Sequence, residues 1–366
     1  MDIKKHSIVI FCKTLVKGGA EKQALLLGRL LSERGLNVVV ISWSKRKVDP
    51  TNFGLINSSS LKYYGLSGDI FHKFFQFNRI LREENTSVVL AYLTLANFVS
   101  GISKWLNRDI VTIGGIRTEK LPLIKLMAER FVHNHLNDTT VFNNYSAKEK
   151  FEKKGFDPNK INVIHNAIEI KHSALNKTNG NAITIITVAR FVQAKDFETA
   201  ILAFKRIRDN SLDNSIRYCI VGYGPMESRI RSLIRNYNLQ DDVILIINPP
   251  DIPELLYRAD IYLSTSLFEG LSNSIMEAMA AKLPLVVTDV GDNKYLVREG
   301  YNGYLVPVRA TEQIASKLGE LVNSGKLRSS FGENSFKIIN SDFSEEKLLA
   351  GYLNLISSFS KELQFS

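Results

Sequence analysis

The stretch from Ala182 to Arg208, AITIITVARFVQAKDFETAILAFKRIR, combines the two local patterns that decide the fold. Its first part, Ala182 to Ala189, is an apolar β-branched run of strand length, and Phe197 to Arg208 has the spacing of an amphipathic helix. A strand followed by a helix is the repeating unit of a parallel α/β sheet. The connecting loop carries Arg190 and Lys195 at the carboxyl edge of that sheet, where open α/β sheets bind ligands. Two cations there can neutralise a diphosphate, although two solvated surface charges would give the same pattern.

The alternation of β-rich runs and amphipathic stretches continues through both halves of the chain, so we predict an α/β protein with two Rossmann-like domains. In the first half the predicted strands are Ser7 to Cys12, Asn37 to Trp43, Ser87 to Leu93, Ile110 to Ile113, Thr139 to Asn143 and Ile161 to Ile164. Further strands in the second half are Arg217 to Val221, Val243 to Ile247, Ile261 to Ser264 and Leu285 to Thr288. The predicted helices include Glu21 to Arg34, Met226 to Tyr237 and Asn273 to Ala281.

The predicted domain boundaries follow from changes in composition along the chain. Residues 1–170 form the first domain, and residues 182–343 form the second. Between them, residues 171–181 are rich in Asn, Ser, Lys, Thr and Gly without an apolar period, which is typical of a linker. A final helical stretch, residues 344–366, exceeds what the second sheet needs and is expected to pack back toward the first domain.

Composition favours a folded cytoplasmic protein. The 366 residues are 45% apolar, which is ample for two hydrophobic cores. The longest apolar runs are far shorter than the roughly 20 residues that span a bilayer, and the N-terminus lacks the features of a signal peptide. Cys12 and Cys219 lie in or beside predicted strands of different halves, which favours buried reduced thiols over a disulfide or a metal site.

The formal net charge of +10 is unevenly distributed. Residues 1–178 hold 27 Lys and Arg against 15 Asp and Glu, a balance of +12, whereas residues 179–366 hold 20 against 22, a balance of −2. No recognisable nucleic-acid-binding motif accompanies this charge, so we expect no nucleic-acid partner. An anionic membrane surface or an acidic acceptor fits better. The segment Ile70 to Arg82 interleaves aromatic and basic residues as an interfacial helix does, although an ordinary sheet-covering helix would match equally well.

A second cluster of polar residues lies at Glu269-Gly270-Leu271-Ser272-Asn273-Ser274-Ile275-Met276-Glu277. Its two carboxylates are eight residues apart, a rise of about 12 Å if the segment is helical, which is comparable with the distance from sugar to ribose in a nucleotide sugar. Gly270 lets the backbone approach a ligand, and amides at a helix N-terminus can meet phosphate oxygens. A capped helix with two surface acids is the alternative.

A third feature is Gly18-Gly19-Ala20-Glu21, which follows the first predicted strand and opens a helix. Backbone N–H groups and the helix dipole make such a position an anion site. An ordinary tight turn would have the same sequence, so the motif proves little alone.

Together these residues resemble the retaining GT-B glycosyltransferases of the large group 1, or family 4, type. The resemblance covers nearly the whole chain, and its most specific part is the E-x7-E signature from Glu269 to Glu277 with its flanks, Ala259 to Ser264 and Pro284 to Asn293. It implies a GT-B architecture in which two Rossmann-like domains face each other across a cleft. The first domain would bind the acceptor, and the second would bind the nucleotide sugar.

The resemblance also implies roles for single residues. Arg190 and Lys195 would bind the diphosphate, Glu277 the ribose and Glu269 the donor sugar, with Glu269, Arg190 and Lys195 forming the catalytic set. The backbone from Gly270 through Leu271 and Ser272 to Asn273 would line the donor site. Gly18 and Gly19 would bring amides to the diphosphate. Family members need no divalent metal, and no Asp-x-Asp motif is present, so we expect no metal and no cofactor.

The implied activity is transfer of a hexose or N-acetylhexosamine from a nucleotide sugar, UDP-linked rather than GDP-linked, by a hexosyltransferase. The acceptor would be a glycan or a lipid-linked molecule in bacterial surface polysaccharide synthesis, such as O-antigen, lipopolysaccharide or capsule. The enzyme would be cytoplasmic, with peripheral contact to the cytoplasmic face of the anionic inner membrane. The alternatives are a GT-B nucleotide-sugar epimerase, a phosphorylase, or a non-catalytic nucleotide-sugar-binding protein.

Two positions depart from the family pattern. Many relatives have a histidine that reaches the donor sugar where this sequence has Arg117, and an arginine cannot shuttle protons at neutral pH. We predict that Arg117 contacts substrate, with a structural salt bridge as the alternative. The usual glycine after Lys195 is Asp196, which makes the loop less permissive but leaves the cation pair intact. His133 and His135 are interpreted as structural or surface residues.

Overall fold

A computed structural model describes residues 6–16, 18–45, 48–59, 61–118, 121–168, 182–210 and 216–359. The predicted linker, residues 171–181, lies outside the described residues. The chain forms two compact units, of which the first comprises Met1–Ala167 and Glu345–Ser366, and the second Ile168–Ser344. Both are parallel-sheet α/β units, as the sequence pattern predicts.

The first unit is built on a seven-stranded parallel sheet with the order β3-β2-β1-β4-β5-β6-β7. Its strands are Ser7–Cys12 (β1), Asn37–Ser42 (β2), Lys62–Gly65 (β3), Thr86–Tyr92 (β4), Val111–Ile116 (β5), Thr139–Phe142 (β6) and Ile161–Val163 (β7). Its helices are Gly19–Glu33 (α1), Pro50–Ser58 (α2), Ile70–Glu83 (α3), Leu93–Leu106 (α4), Leu123–Phe131 (α5) and Tyr145–Glu152 (α6), with a π-helical turn at Val132–Leu136.

Burial on both faces explains why the strands are continuous apolar runs rather than alternating ones. Every residue of β1 is buried. Ile8 and Ile10 pack into one core cluster together with α1, whereas Val9 and Phe11 pack into a second cluster. The sheet is therefore covered by helices on both sides.

The second unit contains a six-stranded parallel sheet with the order β10-β9-β8-β11-β12-β13. Its strands are Ile183–Arg190 (β8), Ile216–Tyr223 (β9), Val243–Ile247 (β10), Ile261–Ser264 (β11), Leu285–Thr288 (β12) and Gly303–Val306 (β13). Its helices are Phe197–Asp209 (α7), Glu227–Asn236 (α8), Ile252–Arg258 (α9), Asn273–Ala280 (α10), Asn293–Leu296 (α11), Thr311–Val322 (α12) and Gly325–Asp342 (α13). Both sheets reverse their strand order at the first strand, and this reversal marks the ligand-binding edge of Rossmann-like folds.

A C-terminal helix, Glu345–Ser357, belongs to the first unit. Leu348, Leu349 and Tyr352 are buried in the core cluster that contains α1. Arg29 of α1 donates to Glu345 at 2.7 Å, an ion pair that fixes the start of the helix. In the part of the chain that the structure describes, no helix combines the length and hydropathy that a transmembrane span requires.

Both cysteines are buried free thiols, which confirms the sequence prediction. Burial raises the pKa of the Cys219 thiol to about 11 and raises that of Cys12 further. The thiolate is the reactive form, so both side chains are inert near neutral pH.

His133, in the π-helical turn, makes the stability of the first unit depend on pH. Its Nε2 lies 3.0 Å from the Asp157 carbonyl oxygen, which can only accept, so Nε2 carries the proton and the Thr140 hydroxyl donates to Nδ1 at 2.8 Å. Burial lowers the pKa of His133 below the ordinary value of about 6.5. At pH values between the lowered pKa and the ordinary pKa, His133 is protonated in the unfolded chain but neutral in the folded chain.

We therefore expect the stability that the neutral His133 contributes to be complete above about pH 6.5 and to be lost as pH falls below that value. Urea unfolding at pH 7 and pH 5 should show a smaller pH effect in His133→Gln than in the unmodified protein. His135→Gln is the matched control, because His135 is exposed, and it should keep the full pH effect. An unchanged pH effect in His133→Gln would contradict this assignment.

Candidate active site

The site predicted from the sequence lies at the point where the strand order of the second sheet reverses. β8 and β11 are neighbours in that sheet although β9 and β10 lie between them in the chain. Arg190 is the last residue of β8, the loop that follows it contains Lys195, and the loop after β11 contains Glu269. Because the strands are parallel, both loops leave from the same carboxyl edge, where α/β sheets bind their ligands.

The centre of the site is an ion pair between the Lys195 ammonium and the Oε1 atom of Glu269. The exposed fraction of the Lys195 side chain is 19% and that of Glu269 is 12%, so both are partly shielded from water. The Ser266 hydroxyl donates to the same carboxylate oxygen at 2.7 Å. A cation and a carboxylate from different loops are thus held together, and the cation can exchange its partner for an incoming anion.

Two further contacts tie the loops to each other. The backbone N–H of Leu267 donates to the Ala194 carbonyl at 2.8 Å, and the Thr265 hydroxyl lies 3.0 Å from the Lys195 carbonyl oxygen. The residue after Lys195, Asp196, has a φ of +45°, a left-handed conformation that Asp adopts more readily than most residues. The glycine usual in the family is therefore replaced by a residue that can take the same backbone conformation.

Glu269 lies in the loop and Glu277 lies in helix α10, so the span between the two acids is only partly helical. Helix α10 begins at Asn273 after Gly270, Leu271 and Ser272, and the side chain of Ser272 makes no capping hydrogen bond. The first turn of α10 is therefore not capped by the Ser272 side chain, and a helix N-terminus is a position where anions bind. Leu271 and Ser272 are buried, whereas Gly270, Asn273 and Glu277 are partly exposed.

Tyr262 of β11 is buried close enough to both acids to feel their charges. Burial raises the pKa of its hydroxyl, and the nearby charges of Glu269 and Glu277 raise it further. The hydroxyl remains protonated and lies 3.3 Å from the Val188 carbonyl, where it donates. It is therefore a neutral group that links β11 to β8.

Gly222, near the end of β9, packs closely against the end of β8. The φ of Gly222 is +152°, and a Cβ atom there would lie 1.9 Å from the Ala189 carbonyl oxygen. The N–H of Phe191 donates to the Tyr223 carbonyl at 2.8 Å. Only glycine fits this approach, which holds the backbone around Arg190 in place.

Arg117 lies in the first unit, just after β5. Its guanidinium donates to Asn166 at 3.1 Å and to Tyr352 of the C-terminal helix at 2.8 Å, and it lies over the ring of Tyr92 at 5.1 Å. Its Nε is buried and has no hydrogen-bond partner among the described residues. The guanidinium thus serves to anchor the C-terminal helix, and substrate contact by Arg117 remains a prediction.

Gly18 and Gly19 also lie in the first unit. Gly19 is the first residue of α1, and Gly18 precedes it in extended conformation without a side-chain cap. A Cβ atom on Gly18 would lie 2.4 Å from a carboxylate oxygen of Glu21, so an acid already approaches this helix N-terminus. A phosphate could bind there only if the Glu21 side chain moved away.

Some supporting residues were not identified from the sequence. They are Thr265 and Ser266, of which Thr265 contacts the Lys195 backbone and Ser266 contacts the Glu269 carboxylate. Gly291 was noted only as part of the flank of the signature. The sequence signal for Thr265 and Ser266 is the polar run Ser264-Thr265-Ser266 at the end of a buried strand. In the residues that the structure describes, no three His, Cys, Asp or Glu side chains are grouped as metal ligands.

Two family profiles match consecutive parts of the chain. The profile for glycosyltransferase family 4 matches residues 17–172, and that for glycosyl transferases group 1 matches residues 169–338. Together they cover both units. The second match contains Arg190, Lys195, Glu269 and Glu277.

Similarity to individual proteins agrees with these matches. The poly(ribitol-phosphate) α-N-acetylglucosaminyltransferase of Staphylococcus aureus is 29% identical over 56% of this chain, and the match spans only 41% of that protein's length. The lipopolysaccharide core biosynthesis glycosyltransferase LpsE of Rhizobium meliloti is 23% identical over 93% of this chain and 96% of its own.

Among solved structures, Anabaena Alr3699/HepE in complex with UDP-glucose superimposes with a TM-score of 0.81 at 17% identity, covering 96% of this chain and 99% of that one. The structural similarity establishes the fold, and the two profile matches establish the family. The chain therefore belongs to the group 1, family 4 glycosyltransferases and has the GT-B fold.

Proposed function

We propose that the protein is a retaining, metal-independent hexosyltransferase of bacterial surface polysaccharide synthesis. It would move a hexose or N-acetylhexosamine from a nucleotide sugar, UDP-linked rather than GDP-linked, to a glycan or lipid-linked acceptor. The observation that carries the proposal is the Lys195–Glu269 pair at the strand-order reversal of the second sheet. The similarity to LpsE supports the pathway class, and the UDP-glucose bound to Alr3699/HepE supports the donor class.

The donor would bind along the carboxyl edge of the second sheet. Lys195 and Arg190 would hold the diphosphate together with the amides of Gly270 to Asn273, Glu277 would accept hydrogen bonds from the ribose hydroxyls, and Glu269 would bind sugar hydroxyls. Lys195 would then break its ion pair with Glu269 and bind a phosphate oxygen instead. This exchange frees the carboxylate for the sugar as the donor arrives.

The main barrier to the reaction is the separation of charge in its transition state. Breaking the bond between the anomeric carbon and the diphosphate builds positive charge on the sugar and negative charge on the leaving group. Preorganised donors such as Arg190 and Lys195 stabilise that leaving group. In a front-face attack with retention, a leaving-group phosphate oxygen takes the acceptor proton, so no protein base and no divalent metal would be required. Activity that persists in excess EDTA would agree with this mechanism.

Gly18, Gly19 and Arg117 of the first unit are proposed as additional substrate contacts. Gly18 and Gly19 would offer amides to the diphosphate after displacement of the Glu21 carboxylate. The cytoplasm is the proposed location, because nucleotide sugars are made there and both buried thiols are reduced.

The test is a panel of UDP- and GDP-sugars scored by thermal shift and by slow donor hydrolysis. One UDP-sugar should raise the melting temperature and be hydrolysed. Glu269→Gln should still bind nucleotide but lose turnover by about a hundredfold or more, because the amide cannot stabilise the developing positive charge. Glu312→Gln, which changes a 70% exposed acid of the same unit, is the matched control and should keep full activity.

The alternatives give different outcomes in the same assay. An epimerase would convert the donor without acceptor, and a phosphorylase would require phosphate or pyridoxal phosphate. A non-catalytic binding protein would bind nucleotide sugar without cleaving it. Equal turnover by Glu269→Gln and the parent would refute the role of Glu269.

A further inference from the structure

One helical layer of the first unit exposes an unusual amount of apolar surface. Helices α3 and α4 pack on the same face of the sheet, since Phe77 and Ile80 share a core cluster with Ala96 and Val99. Helix α5 joins this layer, because Asn97 of α4 donates to the Glu129 carboxylate. The outer face of this layer carries ten large apolar side chains that are between 43% and 84% exposed: Ile70, Phe71, Phe75, Phe98, Trp105, Leu106, Leu123, Ile124, Met127 and Phe131.

The apolar stripe of a surface helix normally faces the core, but in helix α5 it faces solvent. Leu123, Ile124, Met127 and Phe131 share one stripe of the helix, and all four are more than half exposed. The residue that α5 buries is Glu129, whose side chain is held by Asn97 at 3.1 Å. The apolar stripe of α5 therefore faces away from the core of its own unit.

The exposed groups of α4 and α5 form one continuous surface. The ring of Phe131 lies 5.1 Å from that of His135, and His135 lines an open groove of about 610 Å³ together with Trp105 and Arg108. Contiguous apolar surface of this kind, as opposed to scattered single residues, marks an interaction site.

The charged residues around this surface indicate which kind of partner it would bind. Arg108, Lys125 and Arg130 are exposed beside the apolar side chains. Beside α4 and α5, Glu129 is buried, Asp138 is paired with Lys104, and Asp109 is exposed next to Arg108. Beside α3, the exposed acids are Asp69, which caps the helix, and Glu83, which pairs with Arg79. An apolar face rimmed by basic side chains matches a bilayer whose headgroups are anionic, because the rings enter the interface while the cations meet the phosphates.

We propose that the outer face of α3, α4 and α5 docks on the surface of an anionic lipid bilayer, with the α5 stripe and Trp105 entering the interface. This surface lies in the first unit and includes none of the residues proposed to bind the donor. Its test is therefore independent of the outcome for the proposed function.

The full-length chain should float with vesicles made of phosphatidylethanolamine and phosphatidylglycerol, and much less with phosphatidylcholine vesicles. The double variant Ile124→Glu/Met127→Glu should reduce the floated fraction about tenfold, since two exposed apolar side chains no longer enter the interface. Both positions are exposed, so its melting temperature and its donor hydrolysis in solution should not change. Leu55→Glu on α2 is the matched control, because Leu55 is also exposed, and it should float like the parent.

Tryptophan fluorescence gives a second readout that locates the contact. The chain has two tryptophans, of which Trp43 is buried and Trp105 is 68% exposed. Addition of the anionic vesicles should shift the emission to shorter wavelength, and Trp105→Phe should abolish the shift while keeping flotation. Undiminished flotation of the double variant would overturn the proposal. So would a parent protein that fails to float but forms dimers that the double variant lacks, because the face would then bind a second copy.

Discussion

Replacing Lys195 with methionine should lower the rate of donor cleavage by about a hundredfold to a thousandfold, the effect typical of removing one preorganised donor from a developing anion. The side chain keeps its apolar length in this variant and loses only its charge and its hydrogen-bond donors. The change also leaves Glu269, only 12% exposed, without its cation. A partly buried carboxylate that loses its partner costs about 1–3 kcal/mol of stability.

These two consequences can be separated by a second substitution. In Lys195→Met/Glu269→Gln no unpaired charge remains, so urea unfolding should show recovered stability while donor cleavage stays low. Lys205→Met removes a partly exposed cation that pairs with Asp209 in the same unit, and neither property should change. If the double variant recovered activity along with stability, Lys195 would be a structural residue rather than a ligand of the diphosphate.

The buried strands were the most predictable part of the fold. The predictions for β1, β11 and β12 match the structure end to end, because a strand buried on both faces is a continuous apolar run. The prediction for β10 was also correct, although β10 is a partly exposed edge strand, because its five residues are all apolar. The strands that sequence analysis missed are β3, Lys62–Gly65, and β13, Gly303–Val306, each at a sheet edge and four residues long. Each of these two runs contains a glycine, so its apolar stretch is only two or three residues long and is not distinguishable from a loop.

For the site, the sequence identified the charged residues but not their mutual contact. Arg190 and Lys195 could be placed at a carboxyl edge from one βα unit, and the eight-residue spacing marked Glu269 and Glu277. The pairing of Lys195 with Glu269 depends on β8 and β11 being neighbours, which is a property of the strand order and not of either local sequence. The role of Ser266 was missed for the same reason.

Gly291 offers the most direct way to displace Glu269 without altering its side chain. The φ of Gly291 is +56°, and a Cβ atom there would lie 2.0 Å from the Glu269 carbonyl oxygen and 2.8 Å from its carbonyl carbon. Since both contacts are with backbone, Gly291→Ala must move one of the two chain segments. We expect a loss of about 1–3 kcal/mol from overpacking, in addition to about 1–2 kcal/mol for a left-handed alanine.

A shift of about 1 Å in a catalytic group can cost a hundredfold in rate, so donor cleavage by Gly291→Ala should fall by about that factor. Gly300→Ala separates the two contributions, because Gly300 has a similar φ of +69° but no atom within 4 Å of its added Cβ. This control should show only the conformational cost in urea unfolding and should retain full donor cleavage. Equal losses in the two variants would mean that the approach of Gly291 to the Glu269 backbone does not position the carboxylate. A selective loss in Gly291→Ala would instead tie the catalytic geometry of Glu269 to a glycine in the loop after β12.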